Sequence, residues 1–315
     1  MTGPWAITGA AGFLGSHVVE SLLARGIPVL AIDDFSVGRR EYLPQGHAGL
    51  TVAEVDIRRP AELSALFQQY RPTVVMHFAA LHYIPACSAD PTRTLDLNVV
   101  GTQSVLQAAR LVEVPRLLFT STGDVYLPSE TPHREDDSIA PFTIYGLSKV
   151  MGEQLIALES RLRPTARFTV ARLFNLYGPR ETNPHLLPEV IAQLRQSPDT
   201  TLRLGSLWPT RDLVPVADAA RALIGLVEAA DPGVTTINVA SRVSVSMQEV
   251  LDLIGELRGK PLSIVTDPAK VRPVERGHLR ADVTRLRERL GWSPHADLRR
   301  GLADLLASEL GSPSR

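Results

Sequence analysis

Short apolar runs alternate with amphipathic stretches through the first half of the chain. Trp5-Ala6-Ile7-Thr8 runs into a glycine-rich turn, after which apolar positions recur at helical spacing over 13–24. Residues 28–32, 50–53, 73–77, 116–120 and 167–171 predict further strands, with helices near 60–70 and 92–113 between them. These strands are apolar along their length rather than at alternate positions. That pattern predicts a sheet buried on both faces, and so parallel strands linked by crossover helices. The expected fold class is α/β, a doubly wound parallel sheet with a smaller mixed α/β lobe on its C-terminal side. Past Arg172 proline and glycine become frequent and the strands shorter. The division expected is 1–172 for the sheet domain, with 213–240 returning to it, and 173–315 mainly for the second lobe.

The chain has 315 residues, 33 Lys+Arg against 34 Asp+Glu, and 44% hydrophobic residues. That length and apolar content support a sizeable core and argue against disorder. A formal charge of −1 argues against nucleic-acid or membrane-surface binding by bulk electrostatics. The single cysteine, Cys87, excludes an intrachain disulfide and a multi-cysteine metal cluster, and no metal site is expected. It reads as a small buried residue rather than a nucleophile, since no paired base is evident. No run approaches a membrane span, and the N-terminus lacks a basic region followed by an apolar one. The compartment expected is the cytoplasm.

Thr8-Gly9-Ala10-Ala11-Gly12-Phe13-Leu14-Gly15 joins the first strand to the first helix. Gly9 permits a tight turn, Gly12 lets backbone approach a pyrophosphate, and Gly15 lets the helix pack closely on the sheet. The pyrophosphate would sit on the helix N-terminus, where free N–H groups favour an anion. Asp33 ends the second strand, 24 residues after Gly9. A carboxylate there accepts hydrogen bonds from ribose hydroxyls and repels a 2′-phosphate, which favours NAD over NADP. Arg39 and Arg40 are the residues that would serve a 2′-phosphate, but they lie several positions late. The sheet domain is therefore read as a Rossmann-like NAD-binding domain.

Tyr145 and Lys149 are four residues apart at the start of an apolar-periodic helix and so share one face. An ammonium near a phenol favours the phenolate. Such a pair makes a base that removes a proton from a sugar hydroxyl as hydride leaves its carbon.

These motifs resemble those of the extended short-chain dehydrogenase/reductases, in particular the nucleotide-sugar epimerases and dehydratases. The resemblance takes in the glycine turn, Asp56-Ile57, His77-Phe78-Ala79-Ala80, Asn98-Val99-Val100-Gly101-Thr102, Thr120-Ser121-Thr122-Gly123-Asp124-Val125-Tyr126 and Tyr145-Gly146-Leu147-Ser148-Lys149. It continues through Arg172-Leu173-Phe174-Asn175-Leu176-Tyr177-Gly178-Pro179, Arg211-Asp212, Asn238-Val239-Ala240-Ser241, Arg272-Pro273 and Leu290-Gly291-Trp292. It implies that NAD rests on Gly9, Ala11, Gly12, Phe13, Leu14 and Gly15, with Asp33 at the ribose. Asp56 and Ile57 would flank the adenine, Phe78, Ala79 and Ala80 the pyrophosphate and ribose side, and Asn98 would hold the nearby loop. Tyr145 would be the acid/base, with Lys149 on the nicotinamide ribose and Thr122 on the reacting sugar oxygen; Ser121 takes that place if the register differs by one. Asn175, Arg211 and Arg272 would bind the sugar or diphosphate of a nucleotide diphosphate sugar, and the assembly would be a homodimer packed through 92–113 and 145–162.

The chain also departs from that pattern. Thr143-Ile144 replaces Ser-Pro before Tyr145, and the loop 81–87 is unlike the usual epimerase segment. His82 and Tyr83 in it, and His185 in the distinctive 180–185 segment, are candidates to shape the sugar pocket; for His82 and His185 the reading as ordinary polar loop residues is preferred. Dehydratases of the family carry adjacent Asp-Glu after the catalytic Thr, where this chain has Gly123 and Asp124. The favoured activity is therefore 4-epimerisation of an NDP-hexose, with UDP-hexose preferred, through a 4-keto intermediate. The alternatives are 4,6-dehydration, 4-ketosugar reduction and, remotely, a non-catalytic NAD-binding sensor.

Overall fold

The computed structural model describes residues 3–197, 201–271, 276–292, 294 and 297–311. Seven strands form one parallel sheet: β1 (Trp5–Thr8), β2 (Val29–Asp33), β3 (Leu50–Glu54), β4 (Val74–His77), β5 (Arg116–Thr122), β6 (Arg167–Leu173) and β10 (Gly233–Val239). Their spatial order is β10-β6-β5-β4-β1-β2-β3. The chain thus winds outward from β1 to β3, then crosses back to β4 and winds the other way. The strand order reverses between β1 and β4, and a crevice opens at the carboxyl ends of the strands there. β1, β2 and β4 are buried at every position, as continuous apolar runs require.

Helices cover both faces. α1 (Phe13–Ala24) packs with α8 (Val216–Glu228) on one side. On the other lie α2 (Pro60–Tyr70), α5 (Gly101–Leu111) and α6 (Ile144–Leu162), with two short helices, α3 (Ile84–Ala89) and α4 (Pro91–Leu95). The helix expected over 92–113 is not continuous. A wider π turn, Asp96–Val100, separates α4 from α5. A Cβ on Gly101 would lie 2.5 Å from Ile57 Cδ1, so glycine lets α5 approach the chain after β3. Asn98 lies in this turn and bonds the loop after β4 and α6 through Leu81 and Ser148.

The remaining strands are short: β7 (Asn175–Tyr177), β8 (Leu202–Leu204), β9 (Thr210–Pro215), β11 (Ser244–Ser246), β12 (Ile264–Thr266) and β13 (His278–Leu279). β9 pairs with β7, β11 and β13, while β8 pairs with β12. α7 (Leu186–Gln196), α9 (Met247–Leu257) and α11 (Leu298–Leu310) enclose a second core with Leu187, Val190, Leu251, Ile254 and Leu302. α10 (Thr284–Leu290) packs beside β10. Residues 216–239 therefore return from the second lobe to complete the main sheet.

One buried ion pair fixes α6 to the sheet. Arg172 on β6 donates from Nε to Glu153 Oε1 at 2.9 Å and from Nη2 to Oε2 at 2.7 Å. Its third arm donates to the Tyr126 hydroxyl at 2.9 Å, which donates to Asn238 Oδ1 at 2.6 Å. Gly152 completes the contact, since a Cβ there would stand 2.3 Å from Phe119 Cζ. Removing one partner of such a pair strands the other charge. Arg172→Met is expected to lower the unfolding free energy by about 3–5 kcal/mol, read from urea titration. Adding Glu153→Leu should recover much of that loss.

Candidate active site

The crevice at the strand-order reversal is a cavity of about 320 Å³ that runs from the glycine turn to the start of α6. At one end Gly9, Gly12, Phe13, Leu14 and Gly15 line it. The three glycines are needed for different reasons. Gly9 has φ +68°, and a Cβ on it would meet Ala79 N at 2.7 Å. A Cβ on Gly15 would sit 2.0 Å from Gly9 O. Gly12 alone of the three is free of severe crowding, its nearest neighbour being Gly9 O at 3.3 Å. It begins α1 with no side-chain cap, and the first turn holds no acid. Uncapped N–H groups beside an open glycine suit an anionic pyrophosphate.

Asp33 closes the far side. Its carboxylate accepts N–H groups from Ala11 (2.8 Å) and Phe35 (2.9 Å). Burial pushes its pKa up, and those two N–H groups pull against that. Each oxygen keeps lone pairs that can accept ribose hydroxyls. Neither Arg39 nor Arg40 lines the cleft; Arg40 pairs with Glu54 at 2.5 Å and Arg39 faces Glu41 at 3.9 Å. The donor set fits a dinucleotide without a 2′-phosphate.

Other expected contacts divide in two. Ile57, Phe78, Ala79 and Ala80 line the cleft, whereas Asp56 and Ala11 do not. Asp56 is turned to Arg58, whose Nη2 approaches it at 2.6 Å and holds its pKa down. Asn98 also lies behind the wall. Its Oδ1 accepts from Leu81 N at 2.8 Å, and its Nδ2 donates to Leu81 O and Ser148 Oγ. It therefore pins the loop after β4 to α6. Beneath it, fully buried His77 bridges Thr8 Oγ1 (2.6 Å) and Thr102 Oγ1 (2.9 Å). Burial lowers its pKa to about 3, so it is neutral.

At the other end Thr122 ends β5, and Tyr145 and Lys149 project from α6, whose N-cap Thr143 accepts from Gly146 N. All three line the cleft with Ser121 and Asn175. Ser121 Oγ donates to Glu153 at 2.5 Å, whereas the Thr122 hydroxyl stands near enough to Tyr145 to pull the phenol pKa down. Of these two hydroxyls Ser121 is committed to Glu153, and Thr122 is the one that acts on the phenol. The expected acidification of Tyr145 by Lys149 is absent in this structure. Lys149 Nζ donates to Thr120 O at 2.9 Å and lies 6.0 Å from the Tyr145 ring centre. Burial first, then the charge of Asp124, pushes the phenol pKa well above 10, and the Thr122 contact offsets this only in part. Desolvation opposes both charged forms and is the largest cause of both shifts.

Across from Tyr145 two loops meet. His82 Nε2 and Asn183 Nδ2 are 2.9 Å apart, His185 pairs with Glu181, and the Tyr83 ring lies 5.6 Å from that of His185. His82, Asn183, Glu181 and His185 line the cleft; Tyr83 supports them from outside it. Burial lowers the His82 pKa to about 4. Cys87 is buried against Leu81 O, and burial raises its thiol pKa. Arg211 does not line the cavity; its Nη1 donates to the carbonyls of Thr210 and Arg276, both at 2.9 Å. Arg272 lies outside the described residues. Sequence reasoning missed Glu153 and Arg276. Glu153 follows Lys149 by four residues, a spacing that marks the same helical face. Arg276 sits in a loop with no periodic signal.

Burial lowers the Lys149 pKa from 10.5 to about 8. Below pH 8 the folded protein carries the cost of a buried ammonium. Between about 8 and 10.5 the unfolded chain binds the proton and the folded one does not, so this group makes stability rise with pH there. Lys149→Met should therefore be the more stable protein at pH 7, by about 3 kcal/mol, with the difference shrinking as pH approaches 10. Thermal melts across pH 6–10 would check this.

A family model described as NAD dependent epimerase/dehydratase family matches residues 5–240. The chain is 35% identical over 304 residues to UDP-glucose 4-epimerase of Mycolicibacterium smegmatis, covering 94% of this chain and 95% of that protein. It is 29% identical to GDP-6-deoxy-D-mannose reductase of Pseudomonas aeruginosa, covering 98% and 97%. The crystal structure of Thermus thermophilus UDP-glucose 4-epimerase in complex with NAD superposes with a TM-score of 0.86 at 28% identity, covering 98% and 99%. With its parallel seven-stranded sheet and its glycine turn, the chain belongs to the NAD-dependent epimerase/dehydratase family.

Proposed function

We propose that the protein is an NAD-dependent nucleotide-sugar 4-epimerase acting on a UDP-hexose. The observation that carries this reading is the state of the acids around Tyr145. The phenol faces the cleft with Thr122 beside it, while Asp124 is held by Arg276 and Glu181 by His185. Water elimination needs a second positioned acid, and Gly123 supplies none. A single phenol suffices for reversible oxidation at one carbinol carbon, because it takes the hydroxyl proton and later returns it.

Gly12, the α1 N-terminus, Asp33, Ala79 and Lys149 are the residues that would hold NAD. When bound, NAD supplies a hydride acceptor at C4 that gives the hydride back. Thr122 orients the reacting oxygen towards Tyr145, and Lys149 adds positive charge at the same end of the cleft. Asn175, exposed at the cleft edge, is assigned to the diphosphate side. The relatives named UDP-glucose 4-epimerase favour UDP and a neutral hexose.

Exposed Leu147, Met151, Leu158 and Leu162 recur along one face of α6, with Val100 and Leu111 exposed nearby. That apolar stripe supports a homodimer through α5 and α6.

Incubation with UDP-glucose or UDP-galactose should yield the 4-epimer by NMR with no net change in NADH. A 4-keto-6-deoxy product would replace this reading by dehydration, and stoichiometric use of NAD(P)H would replace it by reduction. Tyr145→Phe should lose about 10²–10⁴-fold in kcat while still binding NAD by calorimetry. Light scattering should give a dimer mass, and Leu158→Glu should shift it towards the monomer.

A further inference from the structure

Arg276 enters the back of the active site from the second lobe. It is 6% exposed. Its Nη1 donates to Gly123 O at 3.0 Å and faces Asp124 Oδ1 at 3.4 Å. Its Nη2 donates to Tyr126 O at 3.2 Å and to His133 Nε2 at 3.0 Å. One guanidinium thus spans the whole turn, Gly123–Val125, that links Thr122 at the end of β5 to Tyr126. Gly146, next to Tyr145, packs on the same turn, a Cβ there lying 2.8 Å from Asp124 O. The Arg276 carbonyl in turn accepts from Arg211 at 2.9 Å. A planar fork with several fixed donors suits this task, and a lysine cannot reproduce it.

We propose that Arg276 is a positioning residue: by gripping Asp124 and the carbonyls around it, it offsets part of the charge beside Tyr145 and withholds the Asp124 carboxylate from proton transfer. This rests on Tyr145 being the proton-transfer group of the site.

The groups facing Tyr145 are Asp124 and Thr122 from the turn after β5, Cys87 from α3 and Lys149 from its own helix. Those facing Arg276 are Asp124, His133, Arg211 and the Phe142 ring. Burial keeps the His133 pKa near 4, so it accepts from Arg276 as a neutral ring. Among these, Asp124 is the carboxylate whose charge raises the phenol pKa, and Arg276 is its ion-pair partner. Without Arg276, Asp124 acts on the phenol uncompensated. The same carboxylate is then free to give or take a proton in the cleft.

The test is the pH profile of kcat/KM for 4-epimerisation in Arg276→Met, Arg276→Lys, Asp124→Asn and the double variant Arg276→Met/Asp124→Asn. With NAD bound, the positive charge of the nicotinamide would favour the phenolate and bring its pKa below that of the ligand-free protein, and activity falls as pH drops through that lowered pKa. Arg276→Met should move that limb up by about one pH unit, Asp124→Asn should move it down, and the double variant should return it to the wild-type position or below. Arg276→Lys should keep the limb while losing part of kcat. A profile for Arg276→Met that superimposes on wild type overturns the proposal. So does a double variant as shifted as the single one, which would reduce Arg276 to a structural role. If Arg276→Met does not fold, Asp124→Asn decides, since an unmoved limb there overturns it. Amide hydrogen exchange over 123–126, read without substrate, is independent of the reaction. Faster exchange in the Arg276 variants than in Asp124→Asn supports the grip, and equal exchange overturns it. A wild type that interconverts no 4-epimers would instead count against the proposed function, and the exchange data would still judge Arg276.

Discussion

The bidentate pair of Glu153 and Arg172 sets where α6 lies, and everything chemical in the cleft follows from that position. Tyr145 and Lys149 sit two turns and one turn before Glu153 on the same helix. Once the carboxylate is docked on β6, the phenol must face the end of β5 and the ammonium must reach Thr120 O. Bare glycine at 152, packed on Phe119, brings the helix close enough for this. The pair is costly in isolation, because both charges leave water. Its remaining valences are met by Ser121 and Tyr126, and the gain is a fixed register between helix and sheet.

Burial also sets the electrical state of the site. It raises the phenol, lowers the ammonium to about 8, and keeps His77 and His82 neutral. A closed cleft strengthens every charge–dipole interaction inside it while penalising each isolated charge. The protein answers by pairing acids with fixed partners: Asp33 with backbone N–H groups, Asp124 with Arg276, Glu181 with His185. What is left beside Thr122 is a neutral phenol that gains or loses a proton only when the local charge changes.

The second lobe supplies the wall opposite that phenol. The loop after β7 is tied to α1 by Arg180 with Glu20 at 2.6 Å and by the contact of His17 with Pro179 O. Asn183 and His185 are thereby held against His82 and Tyr83.

Much of this was written in local sequence. Unbroken apolar runs specify buried parallel strands, and glycines at 9, 12 and 15 specify the turn, because backbone sterics leave no alternative at Gly9 and Gly15. Tyr145 and Lys149 were legible because helical spacing alone brings them together. Tertiary structure decided the rest. The partners of Asn98, Leu81 and Ser148, are 17 and 50 residues away in sequence and meet it only in the folded chain. The turning of Asp56 towards Arg58, and of Arg211 towards backbone carbonyls, is a competition among partners that spacing does not describe. The sign of the Tyr145 shift depends on how much water the fold removes from both groups. Arg276 reaches Asp124 across 152 residues of sequence, and no periodic pattern encodes a contact that exists only when two lobes close on one turn.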